Sequence, residues 1–261
     1  QSALLDLAAS EVDHMAQIPQ IGNQIRTDGA LHLYESEREF AASQSSWQAR
    51  QEFGIEFEHL DATRLADLQP GLSNHIKRAT FIPKWQTVND PFEFAQTLWR
   101  MVQQDGGALI KQDVKAMSKA GEVMLVNGET LSGNHVVVAA GEHGFVMTPL
   151  STGIRVGGAV EFAGLDAAPN FKRSEIMLQK ARRFMPDLKT EQGTQWMGFR
   201  PSLPDTLPAI GKSAHTPNVS YAFGHGHLGL TQCFATGKLM AELIDGQTPS
   251  LDLTPFNPSR F

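Results

Sequence analysis

The stretch Tyr221-Ala222-Phe223-Gly224-His225-Gly226-His227-Leu228-Gly229-Leu230-Thr231 reads as a strand that turns through a glycine-rich loop into a helix. Residues 218–223 have strand character. Residues 230–244 place Leu230, Phe234, Leu239, Met240, Leu243 and Ile244 on a helical pattern, and Gly246 supplies the stop. The glycines match G-x-G-x-x-G. In a dinucleotide fold that motif opens a βαβ unit of about 30 residues, with an acidic residue about 20 positions on, at the end of a second strand. Here only residues 247–261 follow, with three prolines among them. That context argues against NAD. A plain tight turn explains the motif as well as a ligand site does. In either case, N–H groups at a helix N-terminus favour partial negative charge.

A second block lies just upstream: Trp196-Met197-Gly198-Phe199-Arg200-Pro201, then Pro204-Asp205 and Pro208-Ala209-Ile210-Gly211. Arg200 stands in an otherwise apolar, proline-punctuated stretch. Its guanidinium can grip a carboxylate with two hydrogen bonds. An internal salt bridge to a neighbour such as Asp205 is the competing reading.

The run GFRPSLPDTLPAIG, then a strand, then GHGHLGLT and a helix, resembles the C-terminal end of the D-amino-acid oxidase superfamily of FAD-dependent enzymes. The bacterial D-amino-acid dehydrogenases are the branch it looks most like. Upstream, Asp90-Pro91 opening a helix, the run Val136-Val137-Val138-Ala139-Ala140-Gly141, and residues 153–162 are similar to family segments. The resemblance implies a mixed α/β (α+β) fold of the FAD-dependent oxidoreductase type, with a partial FAD-binding domain and an antiparallel-sheet substrate domain. It assigns 1–85 and 145–195 to the substrate domain, and 86–144 and 196–261 to the FAD domain.

The resemblance also implies chemistry. FAD would be the cofactor, and the reaction oxidative deamination of a D-amino acid to an imino acid, which water converts to a keto acid and ammonia. Arg200 would anchor the substrate carboxylate. The backbone carbonyl of His227 would accept from the substrate amine. Gly226, Gly229, Leu230 and Thr231 would meet the flavin, Val114 the adenine, and Ala140-Gly141 the cofactor's path. The partners implied are a small amino-acid or amine substrate and either oxygen or a quinone-type electron acceptor. Two readings stay open beside it: a non-catalytic binding or assembly subunit, and an oxidase of sarcosine, glycine, hydroxyproline or a similar amine.

In two places the sequence departs from the family pattern. The family's N-terminal strand and G-x-G-x-x-G are not in this sequence, which starts at Gln1 and so reads as part of a longer protein. After Gly141-Glu142-His143-Gly144 the chain passes directly to Phe145-Val146-Met147-Thr148-Pro149, where the family has a few dozen more residues.

Composition sets the outer limits. The 261 residues are 41% hydrophobic and 19% charged, enough to bury a sizeable core in one large or two intertwined domains. A net charge of −6 gives no electrostatic case for nucleic acid. The single Cys233 excludes an internal disulfide and reads as a buried apolar residue, which fits a reducing compartment; the location expected for such an enzyme is cytoplasmic or peripheral on the inner membrane. His225 and His227 lack the further ligands that a metal site needs. No G-x-S-x-G supports a hydrolase.

Further elements follow from local patterns. Helices are expected at 4–18, 36–52, 61–68, 89–104 and 174–184. Ser36 with Glu39 forms a capping box, Asp61 is a cap, and Ser174 opens the last of these helices. Strands are expected at 29–34, 55–58, 79–82, 108–113, 123–126, 136–140 and 155–162.

Overall fold

The computed structural model describes residues 1–118, 122–139, 148–158, 166–216 and 218–261. In chain order the elements begin with α1 (Ser2–Met15), α2 (Pro19–Gly22), β1 (Ile25–Arg26), β2 (Ala30–Tyr34) and α3 (Glu37–Glu52). There follow β3 (Glu58–Leu60), α4 (Ala62–Leu68), β4 (Arg78–Ile82), β5 (Thr87–Val88) and α5 (Pro91–Gln104). Then come β6 (Val114–Met117), β7 (Val123–Leu125), β8 (Thr130–Leu131), β9 (Val136–Ala139), β10 (Thr148–Leu150) and β11 (Gly153–Arg155). The chain closes with α6 (Lys172–Phe184), β12 (Ala209–Lys212), β13 (Val219–Phe223) and α7 (Gly229–Ile244).

The chain divides into two units, each assembled from separated segments. One comprises Asn23–Gln96 and Val146–Trp196; the other comprises Gln1–Gly22, Thr97–Phe145 and Met197–Phe261. In the first, β2-β4-β3 form an antiparallel sheet, and β1-β5 and β10-β11 form two antiparallel pairs. One face of the three-stranded sheet packs Leu31, Leu33, Leu60, Ala79 and Phe81 with Leu65, Leu72, Ile76 and Phe184. Alternation puts Tyr34, His59 and Thr80 on the other face. There α3 brings in Trp47, 2% exposed. Its Nε1 donates to Tyr34 Oη at 2.6 Å, and that hydroxyl lies 3.1 Å from Thr80 Oγ1.

In the second unit, β13 pairs in parallel with β9 and antiparallel with β12. A separate meander, β6-β7-β8, lies in the same unit. The core joins Ile210 and Ala222 from the first sheet to Ala235, Leu239 and Met240 of α7, Leu4 and Ala8 of α1, and Phe256. Leu4 and Ala8 fall one turn apart on one face, and both are at most 1% exposed.

That packing corrects the expected grouping of 1–85. Residues 1–22 go with α7 and β12, because α1 buries its apolar stripe there, while 86–96 join the unit of Asn23–Gln96 and Val146–Trp196. The strand expected at 55–58 forms at Glu58–Leu60, where β4 offers partners from Ala79 to Phe81. The strand expected at 108–113 does not form. The ladder on β7 runs out where Val126 N donates to Asp113 O, and pairing begins at Val114. Ser174 does not open α6: the helix starts at Lys172, and the Ser174 hydroxyl donates to Phe171 O at 2.7 Å. Of the strand expected at 155–162, only Arg155 falls within β11, and 159–165 lie outside the described residues.

Candidate functional site

The glycine-rich turn and the Arg200 block meet within one unit. β12 and β13 pair from Ala209↔Phe223 to Lys212↔Ser220. Beyond this ladder, Ser202 bridges His225 in antiparallel register, and Gly226 N–H donates to Pro201 C=O at 3.2 Å. The residue before that carbonyl is Arg200, half-buried. Arg200 is thus the residue next in sequence to this backbone contact with the turn.

Asp205, the neighbour that competed for Arg200, belongs to a different cation. Arg260 Nε donates to Asp205 Oδ2 at 2.6 Å and its Nη2 donates to Oδ1 at 3.0 Å. The Arg260 hydrogen bonds are the main cause that holds the Asp205 carboxyl below the ordinary carboxylate range. That internal salt bridge exists, but with an arginine 55 positions away.

Two glycines are required by the turn geometry. Gly224 has φ +81°, and a Cβ there would lie 2.7 Å from Leu203 Cδ1. Gly226 has φ +55°, and its Cβ would meet Ser202 Oγ at 3.2 Å. Both lie in the left-handed region that L side chains avoid. Gly229, by contrast, has a helical φ of −56°, so its backbone does not itself demand glycine. Gly226–Leu228 form one 3₁₀ turn that leads into α7.

The N-terminus of α7 is left open. Leu228 at the cap position makes no side-chain capping bond, and no acidic residue occupies the first turn. The first N–H groups, those of Gly229, Leu230 and Thr231 among them, therefore present the positive end of the helix dipole without a side-chain anion. Leu230 is 38% exposed and Thr231 is exposed.

Polar groups behind the turn are unevenly satisfied. His225 Nε2 lies 2.9 Å from Thr236 Oγ1. Burial pushes the His225 pKa below its ordinary value. Gln232, one helical turn before Thr236 on the same face, is fully buried, and neither its amide nitrogen nor its amide oxygen has a partner among the described residues. Buried polar groups are nearly always paired. Among the described residues nothing completes the hydrogen bonding at Gln232. Cys233 is a thiol kept protonated by burial, which raises its pKa.

The remaining sequence-expected residues lie elsewhere. His227 is exposed in the 3₁₀ turn, while His225 turns inward, so the two imidazoles do not converge. Val114 stands at the start of β6, 61% exposed, on the meander and not on the sheet that carries the turn. Ala140 and Gly141 lie outside the described residues. Sequence reasoning missed Gln232, the His225–Thr236 pair and Arg260. Only His225 carried a local signal, by its place in the turn.

The sequence profile of the family described as FAD dependent oxidoreductase (DAO) matches residues 1–144 and 141–243. The chain belongs to this family, and FAD is the family's cofactor. The two matched spans overlap at 141–144. A D-amino-acid oxidase of Bradyrhizobium diazoefficiens is 28% identical, over 94% of this chain and 69% of that protein. A D-amino acid dehydrogenase of Paramagnetospirillum magneticum is 33% identical, over 48% of this chain and 30% of that protein. Among solved structures, glycine oxidase from Bacillus cereus superposes with a TM-score of 0.79 at 19% identity, over 92% of this chain and 80% of that one. Iminodiacetate oxidase from Chelativorans sp. gives 0.77 at 18%, over 97% and 83%. These likenesses fix the fold, including the mixed α/β architecture of FAD-dependent oxidoreductases.

Proposed function

We propose that this chain forms the carboxylate-anchoring and flavin-facing part of an FAD-dependent enzyme that oxidises the Cα–N bond of a D-amino acid. The observation that carries this reading is the hydrogen bond from Gly226 N–H to Pro201 C=O, which ties Arg200 to the glycine turn. Bound FAD would supply a two-electron acceptor. The open N-terminus of α7, with donors at Leu230 and Thr231, fits the electron-rich edge of such a ring, where negative charge grows on reduction. Gly226 leaves the turn without a side chain there, and Gly229 starts the helix. Val114 and Ala140-Gly141 are the proposed contacts for the rest of the cofactor.

The chain's own residues bind and orient the substrate. Arg200 pairs with the substrate carboxylate through its fork of N–H groups. The His227 carbonyl accepts from the amine. With both ends held, one face of the α carbon is presented, and loss of hydride there and of a proton from nitrogen gives an imino acid. Water then yields the keto acid and ammonia. No side-chain base is required, and the neutral His225 stays occupied with Thr236. The FAD domain of this reading comprises Thr97–Phe145 and Met197–Phe261 with α1 and α2, and the substrate domain comprises Asn23–Gln96 and Val146–Trp196. A quinone or oxygen serves as final acceptor.

A second reading is oxidation of glycine or a secondary amine such as sarcosine. The glycine oxidase and iminodiacetate oxidase folds among the structural neighbours favour it. Substrate trials on flavin-loaded protein separate the two. Reduction by D-alanine or D-proline but not by glycine or sarcosine supports the first reading; the reverse pattern supports the second. Arg200→Leu is expected to raise KM for any carboxylate substrate at least about tenfold at unchanged flavin content, the loss of roughly 1.4 kcal/mol or more of binding. An unchanged KM would sink the anchor role.

A further inference from the structure

We propose that Arg260 is a positioning residue, which clamps the loop that carries Arg200 and thereby sets the place of the carboxylate anchor. This rests on the reading of Arg200 given above. The clamp has three points. Two are the fork onto Asp205, at 2.6 and 3.0 Å, and the third is a bond from Nη2 to Leu207 C=O at 2.6 Å. The Arg260 side chain is only 14% exposed, and its guanidinium stacks 4.7 Å from the Phe261 ring centre. The tail around it is seated: Pro258 lies so close to β12 that a Cβ on Gly211 would fall 2.8 Å from its Cδ.

What the clamp grips is a strained loop. Thr206 has φ +64°, an unfavourable conformation for a β-branched residue. The loop is closed locally by Thr206 N donating to Leu203 O at 2.9 Å and Leu207 N donating to Asp205 Oδ1 at 3.1 Å. Asp205 therefore serves both the turn and Arg260. From this loop the chain runs back through Leu203, which packs against Gly224, and Ser202, which bridges His225, to Pro201, which accepts from Gly226. Each end of the 201–207 loop is thus pinned, one by the glycine turn and the other by Arg260. Arg200 is the residue immediately outside the first pin. A bidentate charged pair adds direction as well as strength, and that is what an anchor needs from its support.

The test compares wild type, R260K and D205N by amide hydrogen exchange and by binding of propanoate to the FAD-loaded full-length protein. Lysine keeps the charge but cannot fork across two oxygens. D205N removes the ion pair from the other side. The expected result is exchange at the Leu207 and Gly226 amides at least about fivefold faster in both variants, with β13 and the middle of α7 unchanged, as for a local opening. Propanoate Kd is expected to rise at least about fivefold with R260K. Unchanged exchange at Gly226 in both variants overturns the clamp. Uniform acceleration across β12, β13 and α7 means general destabilisation and overturns it too. Arg200→Leu keeps the two readings apart. Propanoate binding that ignores Arg200→Leu, or that is absent in wild type, defeats the anchor and with it the positioning role. Binding lost with Arg200→Leu but unchanged in R260K defeats the positioning role alone.

Discussion

Gly224 and Gly226 hold the turn in different ways, and the difference predicts different penalties. At Gly224 a Cβ would strike Leu203 at 2.7 Å on top of a φ of +81°. Gly224→Ala should therefore cost about 2–4 kcal/mol, the sum of a left-handed backbone and an overpacked contact, read as a lower urea midpoint. At Gly226 the contact is a movable hydroxyl 3.2 Å away, so the backbone strain dominates. His225 sets a pH dependence of known sign. Burial lowers its pKa below the ordinary 6.5, so the unfolded chain binds the proton more readily. Its contribution to stability is complete above about pH 6.5 and is lost as pH falls from there through the folded pKa. His225→Asn should flatten that acid limb in a stability–pH series; an identical limb would show that other groups set it. The strand, turn and helix around Gly224–Gly229 were legible in the sequence because they form a local pattern. Arg260 was not. Its partner Asp205 lies 55 positions away, and local reading offered Asp205 to Arg200 instead.

Helix ends show what local chemistry specifies and where it stops. Ser36 Oγ accepts from Glu39 N at 3.1 Å, as a capping box requires. The return bond shifts by one residue: Glu39 Oε2 accepts from Glu35 N at 2.7 Å, not from Ser36. Asp61 caps α4 through Arg64 N at 2.9 Å, and Asp90 caps α5 through Phe92 N and Glu93 N. These caps satisfy orphan donors with side chains two or three residues away, so sequence alone finds them. Ser36→Ala should cost about 1 kcal/mol, seen as a lower melting temperature; no change would mean that the Glu39 bond alone holds the entry. Strands were harder. Residues 108–113 have the composition of a strand, but their pairing depends on how far β7 extends, and β7 ends at Leu125. Short pairs such as β1-β5 carry no period of their own and went unseen.

At the scale of the molecule the chain crosses between its two units four times, and the first helix decides where the first crossing falls. Its sequence, apolar at Leu4, Leu7 and Ala8, says that a face is buried without saying against what. Proximity in sequence suggested the sheet that follows. The structure buries Leu4 completely among Ile210, Ala235, Leu239 and Phe256 instead, and Glu11 adds an ion pair to Lys238 of α7 at 3.0 Å. The helix that opens on the glycine turn thus has its opposite flank set by residues more than 200 positions earlier. Removing three carbons' worth of that contact should leave a cavity, not a collapse, because α7 is also held by β12 and β13. Leu4→Ala is therefore expected to cost about 2–5 kcal/mol, within the range for large-to-small core changes. The location of the loss is the sharper readout. Hydrogen exchange should quicken in peptides spanning 209–244 and stay at wild-type rates in those spanning 30–82. The reverse distribution would return α1 to the unit of Asn23–Gln96 and Val146–Trp196 and undo the division of the chain described above.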